Sequence, residues 1–190
     1  MALLVIGLVL FFGIHSLVIF APGSREWLQQ ELGRHGWRGL HSVLSLAGFV
    51  LIIVGYGKAR LAPEVLYLPP FWMRHVTFTL MLPVFPLLVA AYLPGRIKAA
   101  LKHPMLVAVK LWALAHLLSN GMLADVLLFG GFLAWAVADR ISLQRRPPVL
   151  QSGVTPRFRN DVIAVVAGLL LYLATLLWLH RLVIGVPLVG

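Results

Sequence analysis

The chain alternates long apolar stretches with short polar breaks. Six stretches are long enough to be transmembrane helices, because about 20 largely apolar residues are needed to cross the hydrocarbon core. We place these spans at residues 2–21, 39–57, 72–93, 102–120, 122–138 and 161–187. The turn-forming pairs that separate them include Pro22-Gly23, Pro94-Gly95 and Asn120-Gly121. Since backbone groups in lipid must be hydrogen-bonded within the chain, the pattern predicts an all-α, polytopic helical membrane bundle with about six transmembrane helices.

Two prolines, Pro83 and Pro86, lie inside the third stretch. Each proline lacks a backbone N–H donor, and its ring collides with the preceding turn of a helix. We therefore expect the third helix to bend at this point, with neighbouring helices covering the freed carbonyl groups.

The composition supports a membrane protein. Hydrophobic residues make up 61% of the chain and charged residues only 12%, whereas soluble domains carry about 25% charged residues. This composition excludes water-soluble enzyme folds. The chain contains no cysteine, which also excludes disulfides, thiolate metal sites, a cysteine nucleophile and covalent haem attachment through a C-x-x-C-H motif.

Basic residues are distributed unevenly among the predicted loops. The chain has 16 Lys and Arg against 6 Asp and Glu, a net charge of +10. The first, third and fifth loops carry eleven cations: Arg25, Arg34, Arg38, Arg96, Lys98, Lys102, Arg140, Arg145, Arg146, Arg157 and Arg159. The other side carries Lys58, Arg60, Arg74 and Arg181. Because cationic loops stay in the cytoplasm, this asymmetry predicts a multi-pass protein of the bacterial inner membrane with both termini in the periplasm.

The first 21 residues are apolar from the start and have no basic segment before them. We therefore expect them to form a retained membrane span and not a signal peptide. The basic loop at residues 140–160 favours contact with anionic lipid headgroups over nucleic acid. The lipid bilayer is thus the expected environment, and nucleic acid is not an expected partner.

Two histidines, His15 and His116, lie inside different predicted spans. An ionisable side chain in the membrane is costly and marks a functional candidate. A single histidine there more often forms a hydrogen bond between helices, but two on facing helices are the usual axial ligands of a b-type haem. We expect the helices that carry them to pack together.

The depths of these histidines match only loosely. His15 lies about 9 Å from the cytoplasmic end of its span and His116 about 21 Å, at 1.5 Å per helical residue. The difference of about 12 Å is large for one flat haem. His41 and His103, which lie near the same end, match the depth of His15 better.

Lys110 is the least expected residue in a span. It has no acidic residue on its own helix, and an unpaired ammonium there costs about 2.5–3.5 kcal/mol. Its counter-charge is either Asp125, with a structural role, or a haem propionate. Alternatively, the ammonium donates to backbone carbonyls or loses its proton. Trp112 lies one turn before His116 and Asn120 one turn after it, so the three residues are expected to share a helix face, which is the best candidate site.

Several motifs together resemble the NnrU family of bacterial membrane proteins. The resemblance covers about residues 1–146 and rests on His15-Ser16, residues 33–57, Met81 to Pro83, residues 102–105, residues 110–121 and residues 124–131. NnrU proteins are associated with denitrification, in particular with nitrite and nitric oxide reduction. A role beside these reactions is therefore what the resemblance implies, with an electron-transfer or respiratory protein as the partner.

The 15-cis-zeta-carotene isomerase of plants and cyanobacteria is similar to NnrU proteins and carries haem b. Its histidine elements match His15, His103 and His116, so the resemblance implies His15 and His116 as axial ligands of a haem b iron, with His103 nearby. Lys110, Trp112 and Asn120 complete the expected cofactor-binding set. The isomerase has a cysteine where this chain has Ala113, and its thiolate ligation is therefore not available here.

The sequence leaves three functions open. The first is a haem b protein in or beside nitrite and nitric oxide respiration, with a redox or accessory role. The second is a haem-dependent isomerase or oxidoreductase that acts on an apolar isoprenoid or carotenoid, and the third is a haem-free accessory or transport protein. In domain terms we expect an NnrU-like five-helix core at residues 1–146, a basic proline-containing loop at 147–160 and a C-terminal transmembrane helix at 161–190.

Overall fold

The structure is a computed structural model that describes residues 1–146 and 155–189. Its helices are α1 (Ala2–Phe20), α2 (Pro22–Ala59), α3 (Met73–Met81), α4 (Val84–Ala90), α5 (Arg96–Leu101), α6 (Pro104–Ser119), α7 (Leu123–Arg145), α8 (Phe158–Ala174) and α9 (His180–Ile184). A π-helical turn at Thr175–Leu179 joins the last two. The described residues contain no β-strand, only an isolated bridge between Val65 and Met122. The predicted all-α class is confirmed.

Five helical stretches are long and apolar enough to cross a membrane. They are Ala2–Phe20, Pro22–Ala59, Met73–Ala90, Leu123–Arg145 and Phe158–Ile184. The helix Pro104–Ser119 is also apolar but has only 16 residues. These helices correspond to the six predicted spans, and the predicted helical membrane bundle is confirmed.

The second helix is longer than its predicted span of 39–57. It begins at Pro22 and bends at Gly33, whose φ of 69° and ψ of 169° lie outside the helical region. Residues 22–32, predicted as a loop, are therefore helical. Apolar length does not indicate this segment, because its many polar residues can form a helix without a long apolar stretch.

Where the sequence predicts a bend in the third span, the helix is interrupted and continues as a second helix. Helix α3 ends at Met81 and α4 begins at Val84, with Pro83 between them. Pro83 has no N–H to continue the helical hydrogen bonds, which explains why the helix breaks here.

By their contacts the helices form two compact units. The first contains residues 1–69 and those from 120 to the end of α7, and thus α1, α2 and α7. In this unit α1 packs closely on α2 through small residues. A Cβ atom at Gly7 would lie 2.6 Å from the Ile52 backbone nitrogen, and one at Gly48 would lie 2.9 Å from that of Phe11. Such close backbone contact is typical of membrane helices.

The second unit contains residues 70–119 and the described residues from 155 onward. Helix α4 packs against both α6 and α8, and the backbone of Gly168 lies against Pro86. Asp161, at the start of α8, accepts hydrogen bonds from the backbone N–H groups of Arg96 and Ile97 at 2.9 and 3.0 Å. The last predicted span therefore packs on α4. The predicted domain boundaries stay predictions, and residues 147–154 of the predicted loop lie outside the described part.

Candidate functional site

His15 lies on α1 in the first unit, and its ring orientation is defined by one hydrogen bond. Its Nδ1 atom lies 2.7 Å from the backbone carbonyl oxygen of Phe11. A carbonyl oxygen can only accept, so Nδ1 carries a proton, and in the neutral imidazole the lone pair is then on Nε2. Among the described residues, Nε2 forms no hydrogen bond. This is the arrangement that protein metal sites use to orient a histidine ligand.

Aromatic rings from three helices surround this imidazole. Phe11 stacks on it with a centroid separation of 4.2 Å, and Trp135 of α7 stands perpendicular to it at 6.0 Å. His41 of α2 is the third neighbour, with the two imidazole centroids 5.0 Å apart. The sequence already indicated His41, because its predicted depth in the membrane matches that of His15. In the structure the imidazole rings of His15 and His41 lie side by side.

A cleft of about 910 Å³ opens beside these rings in the first unit. Its volume lies within the range of about 300–1,000 Å³ that is usual for ligand and cofactor sites. Its apolar wall consists of Ile14, Val18, Trp37 and Trp135, and its basic side consists of Arg25, Arg34 and Arg38. The cleft thus combines an imidazole, an apolar wall and three positive charges. In the sequence these arginines indicate only membrane topology, because no local pattern connects them with His15.

The charge of the cleft is strongly positive. Asp139 is its only acidic lining residue in the described part of the chain, and its carboxylate pairs with Arg146 at 3.4 Å. Within their unit, Arg25, Arg34 and Arg38 form no ion pair with a described residue. The cleft therefore favours an anionic ligand.

His116 lies on α6 in the second unit and is oriented in the same way as His15. Its Nδ1 atom lies 2.8 Å from the carbonyl oxygen of Trp112, so the proton is again on Nδ1. The rings of Trp112 and His116 contact each other with a centroid separation of 5.3 Å, as their one-turn spacing predicts. His180 forms a comparable bond to the Val186 carbonyl, so the bond alone does not mark a ligand.

The helix face predicted to contain Trp112, His116 and Asn120 does not extend as far as Asn120. Helix α6 ends at Ser119, so Asn120 lies beyond it, and its carbonyl oxygen accepts a hydrogen bond from the Tyr67 hydroxyl at 2.8 Å. The helix ends here because the Asn120-Gly121 turn follows, in which Gly121 lies against the backbone of Tyr67. His103 precedes α6, and its carbonyl accepts the N–H of Leu106 at 3.1 Å.

The two residues considered as an ion pair belong to different units. Lys110 lies half-buried on α6 and forms no hydrogen bond or ion pair with the described residues of its own unit. Asp125, in the first unit, is 2% exposed. Its carboxylate accepts hydrogen bonds from the Tyr56 hydroxyl at 2.6 Å and from the Met122 N–H at 3.0 Å. Asp125 thus has two donors, and its pairing with Lys110 stays a prediction.

The predicted axial ligands His15 and His116 also belong to different units. Their pairing and the packing of their helices therefore stay predictions from the sequence. The described residues contain no group of three or more His, Cys, Asp or Glu side chains that could hold a metal ion.

Comparison with known proteins identifies the family. The family model described as NnrU protein matches residues 3–188, and the similarity therefore extends past residue 146 through α8. No curated protein and no solved structure matches the chain. Because the match covers nearly the whole chain, this membrane protein belongs to the NnrU family.

Proposed function

We propose that this protein binds haem b in the membrane and acts in or beside nitrite and nitric oxide respiration, with a redox or accessory role. One observation carries the proposal. The imidazole of His15, with its proton held on Nδ1 by the Phe11 carbonyl, lies in a cationic, aromatic-walled cleft of cofactor size. Membership of the NnrU family supports the respiratory setting.

The residues of the cleft fit the chemistry of a haem. His15 offers the Nε2 lone pair as an iron ligand, and the apolar wall with Trp37 and Trp135 suits a flat macrocycle. The chain has no cysteine, so a haem would be held without thioether bonds, and haem b is the non-covalent type that the family resemblance implies. His116 is the second ligand by family resemblance, and its Nδ1 proton is held by the Trp112 carbonyl in the same way.

The protein contributes orientation and electrostatics to such a site. When bound, a haem with two histidine ligands supplies one-electron transfer. The hydrogen bond to Phe11 prevents rotation of the His15 ring, and the stacked Phe11 ring limits its movement. The glycine contacts between α1 and α2 hold His15 opposite His41.

An absorption spectrum tests haem binding directly. The purified protein should show a Soret band and sharp α and β bands after reduction, as six-coordinate low-spin haem does. His15→Ala and His116→Ala should each abolish the low-spin spectrum. His35→Ala is the matched control, because His35 lies exposed on α2 and does not line the cleft.

Two results would contradict the proposal. A protein that stays colourless after expression with abundant haem would favour the haem-free accessory or transport function. Unchanged spectra in both His15→Ala and His116→Ala would remove the assigned ligands. The respiratory role is tested separately, because deletion of the gene should slow the consumption of nitrite or nitric oxide by the source organism.

A further inference from the structure

Three arginines line the cleft from both sides of the bend in α2. Arg25 precedes Gly33, and Arg34 and Arg38 follow it. The φ of 69° at Gly33 turns the chain sharply between them, so the bend itself brings the three guanidinium groups to one cleft. We call these three residues the arginine rim.

No described carboxylate of its unit lies within ion-pair distance of the arginine rim. The acid that lines the same cleft, Asp139, pairs with Arg146 through one contact of 3.4 Å, in which the guanidinium group donates to the carboxylate. Three guanidinium groups at one cleft repel one another unless an anion lies between them. Because a guanidinium group offers a planar pair of N–H donors, a carboxylate is the anion that it binds best.

A second observation also indicates a hydrogen-bond acceptor. The Nε1 atom of Trp135 is buried and has no hydrogen-bond partner in the described part of the chain. A buried donor of this kind normally has an acceptor. Trp135 lines the cleft and stands perpendicular to His15, so an acceptor for its N–H would belong beside the imidazole.

One part of the cleft wall is apolar and indicates that the ligand has a large apolar part besides its negative charge. Ile14 and Val18 are aliphatic, and Trp37 is an aromatic residue that is 6% exposed. A small inorganic anion would leave this apolar wall uncovered. The cleft therefore suits an anion whose carboxylates are attached to a large apolar body.

We infer that the arginine rim binds the propionate carboxylates of the porphyrin whose iron His15 ligates. This inference rests on the proposed function and adds residues that the predicted cofactor-binding set did not contain. The rim supplies propionate counter-charges in addition to the one that the sequence predicts for Lys110.

Porphyrin titrations of the apo-protein test this inference. Iron protoporphyrin IX is compared with its dimethyl ester, which keeps the macrocycle and removes both negative charges. The free acid should bind the wild-type protein about tenfold or more tightly than the ester, since hydrogen bonds between charged groups are lost with the ester. The double variant Arg34→Gln/Arg38→Gln should weaken binding of the acid but not of the ester.

Two controls separate the rim from general charge effects. Arg145→Gln removes a cation from the exposed end of α7, outside the cleft, and should preserve the preference for the acid. Arg38→Lys keeps the charge and should retain part of the preference. Circular dichroism shows whether each variant keeps its helices, and a variant that has lost them is replaced by the single Arg34→Gln variant.

The outcomes distinguish the two proposals. If neither porphyrin gives a Soret band with the wild-type protein, the proposed function is wrong and this inference fails with it. If both bind equally, or if Arg145→Gln acts like the rim variants, the rim inference alone is overturned. The titrations are repeated in nanodiscs of phosphatidylcholine with and without phosphatidylglycerol. Loss of the preference in phosphatidylglycerol would show that lipid phosphates occupy the rim and would also overturn the inference.

Discussion

At the scale of single residues, hydrogen bonds decide which polar groups in this protein are available for chemistry. The Phe11 carbonyl leaves the Nε2 lone pair of His15 available. Asp125, by contrast, uses its carboxylate to accept from Tyr56 and Met122. A titratable residue in a predicted span therefore indicates function only once its partners are known.

The hydrogen bond between Tyr56 and Asp125 should be important for stability. Tyr56→Phe removes a donor from a carboxylate that is 2% exposed, so we expect a loss of about 1–3 kcal/mol in the free energy of unfolding. The measurement is unfolding by SDS titration in mixed micelles. Tyr92→Phe is the control, because Tyr92 is 78% exposed and should change stability by less than about 0.5 kcal/mol. Equal stability of the two variants would contradict a structural role for the bond.

Lys110 remains the residue whose role the sequence predicts most sharply. If haem is present, we expect Lys110 to act on the site through its charge, because a mid-membrane ammonium needs a nearby anion. Lys110→Met should lower haem occupancy or shift the redox potential while the helices remain intact. Redox titration of the purified variant measures this. An unchanged spectrum and potential, together with a destabilised Asp125→Asn variant, would instead show that Lys110 belongs to the scaffold.

At the scale of helices, close packing of α1 on α2 depends on glycine. A Cβ atom at Gly7 would lie 2.6 Å from the Ile52 nitrogen, whereas one at Gly13 of the same helix would meet nothing within 4 Å. We therefore expect Gly7→Ala to push the helices apart and to cost about 1–3 kcal/mol. Gly13→Ala should be neutral or stabilising by up to about 1 kcal/mol, because alanine favours helices. Thermal unfolding of both variants in detergent compares them, and a stabilised Gly7→Ala would refute the packing argument.

At the scale of the whole molecule, the orientation in the membrane rests on charge. The eleven cations between the first and second, third and fourth, and fifth and sixth predicted spans should stay in the cytoplasm, which leaves both termini in the periplasm. Alkaline phosphatase fused after Gly190 should be active, since it folds only in the periplasm, and green fluorescent protein at the same position should be dark. The opposite pair of results would reverse the predicted orientation.

The helical membrane class, the approximate positions of the six apolar stretches and a bend in the third span near Pro83 could be predicted from the sequence. These features are local, because the length of an apolar stretch and the N–H group that proline lacks each affect a single helix. Three contacts became apparent only in the folded chain: His15 lies against His41, Tyr56 donates to Asp125, and Arg25, Arg34 and Arg38 line one cleft. The physical reason is that such contacts depend on which helix faces are paired and on the bend at Gly33, and both are set by packing between residues far apart in the chain.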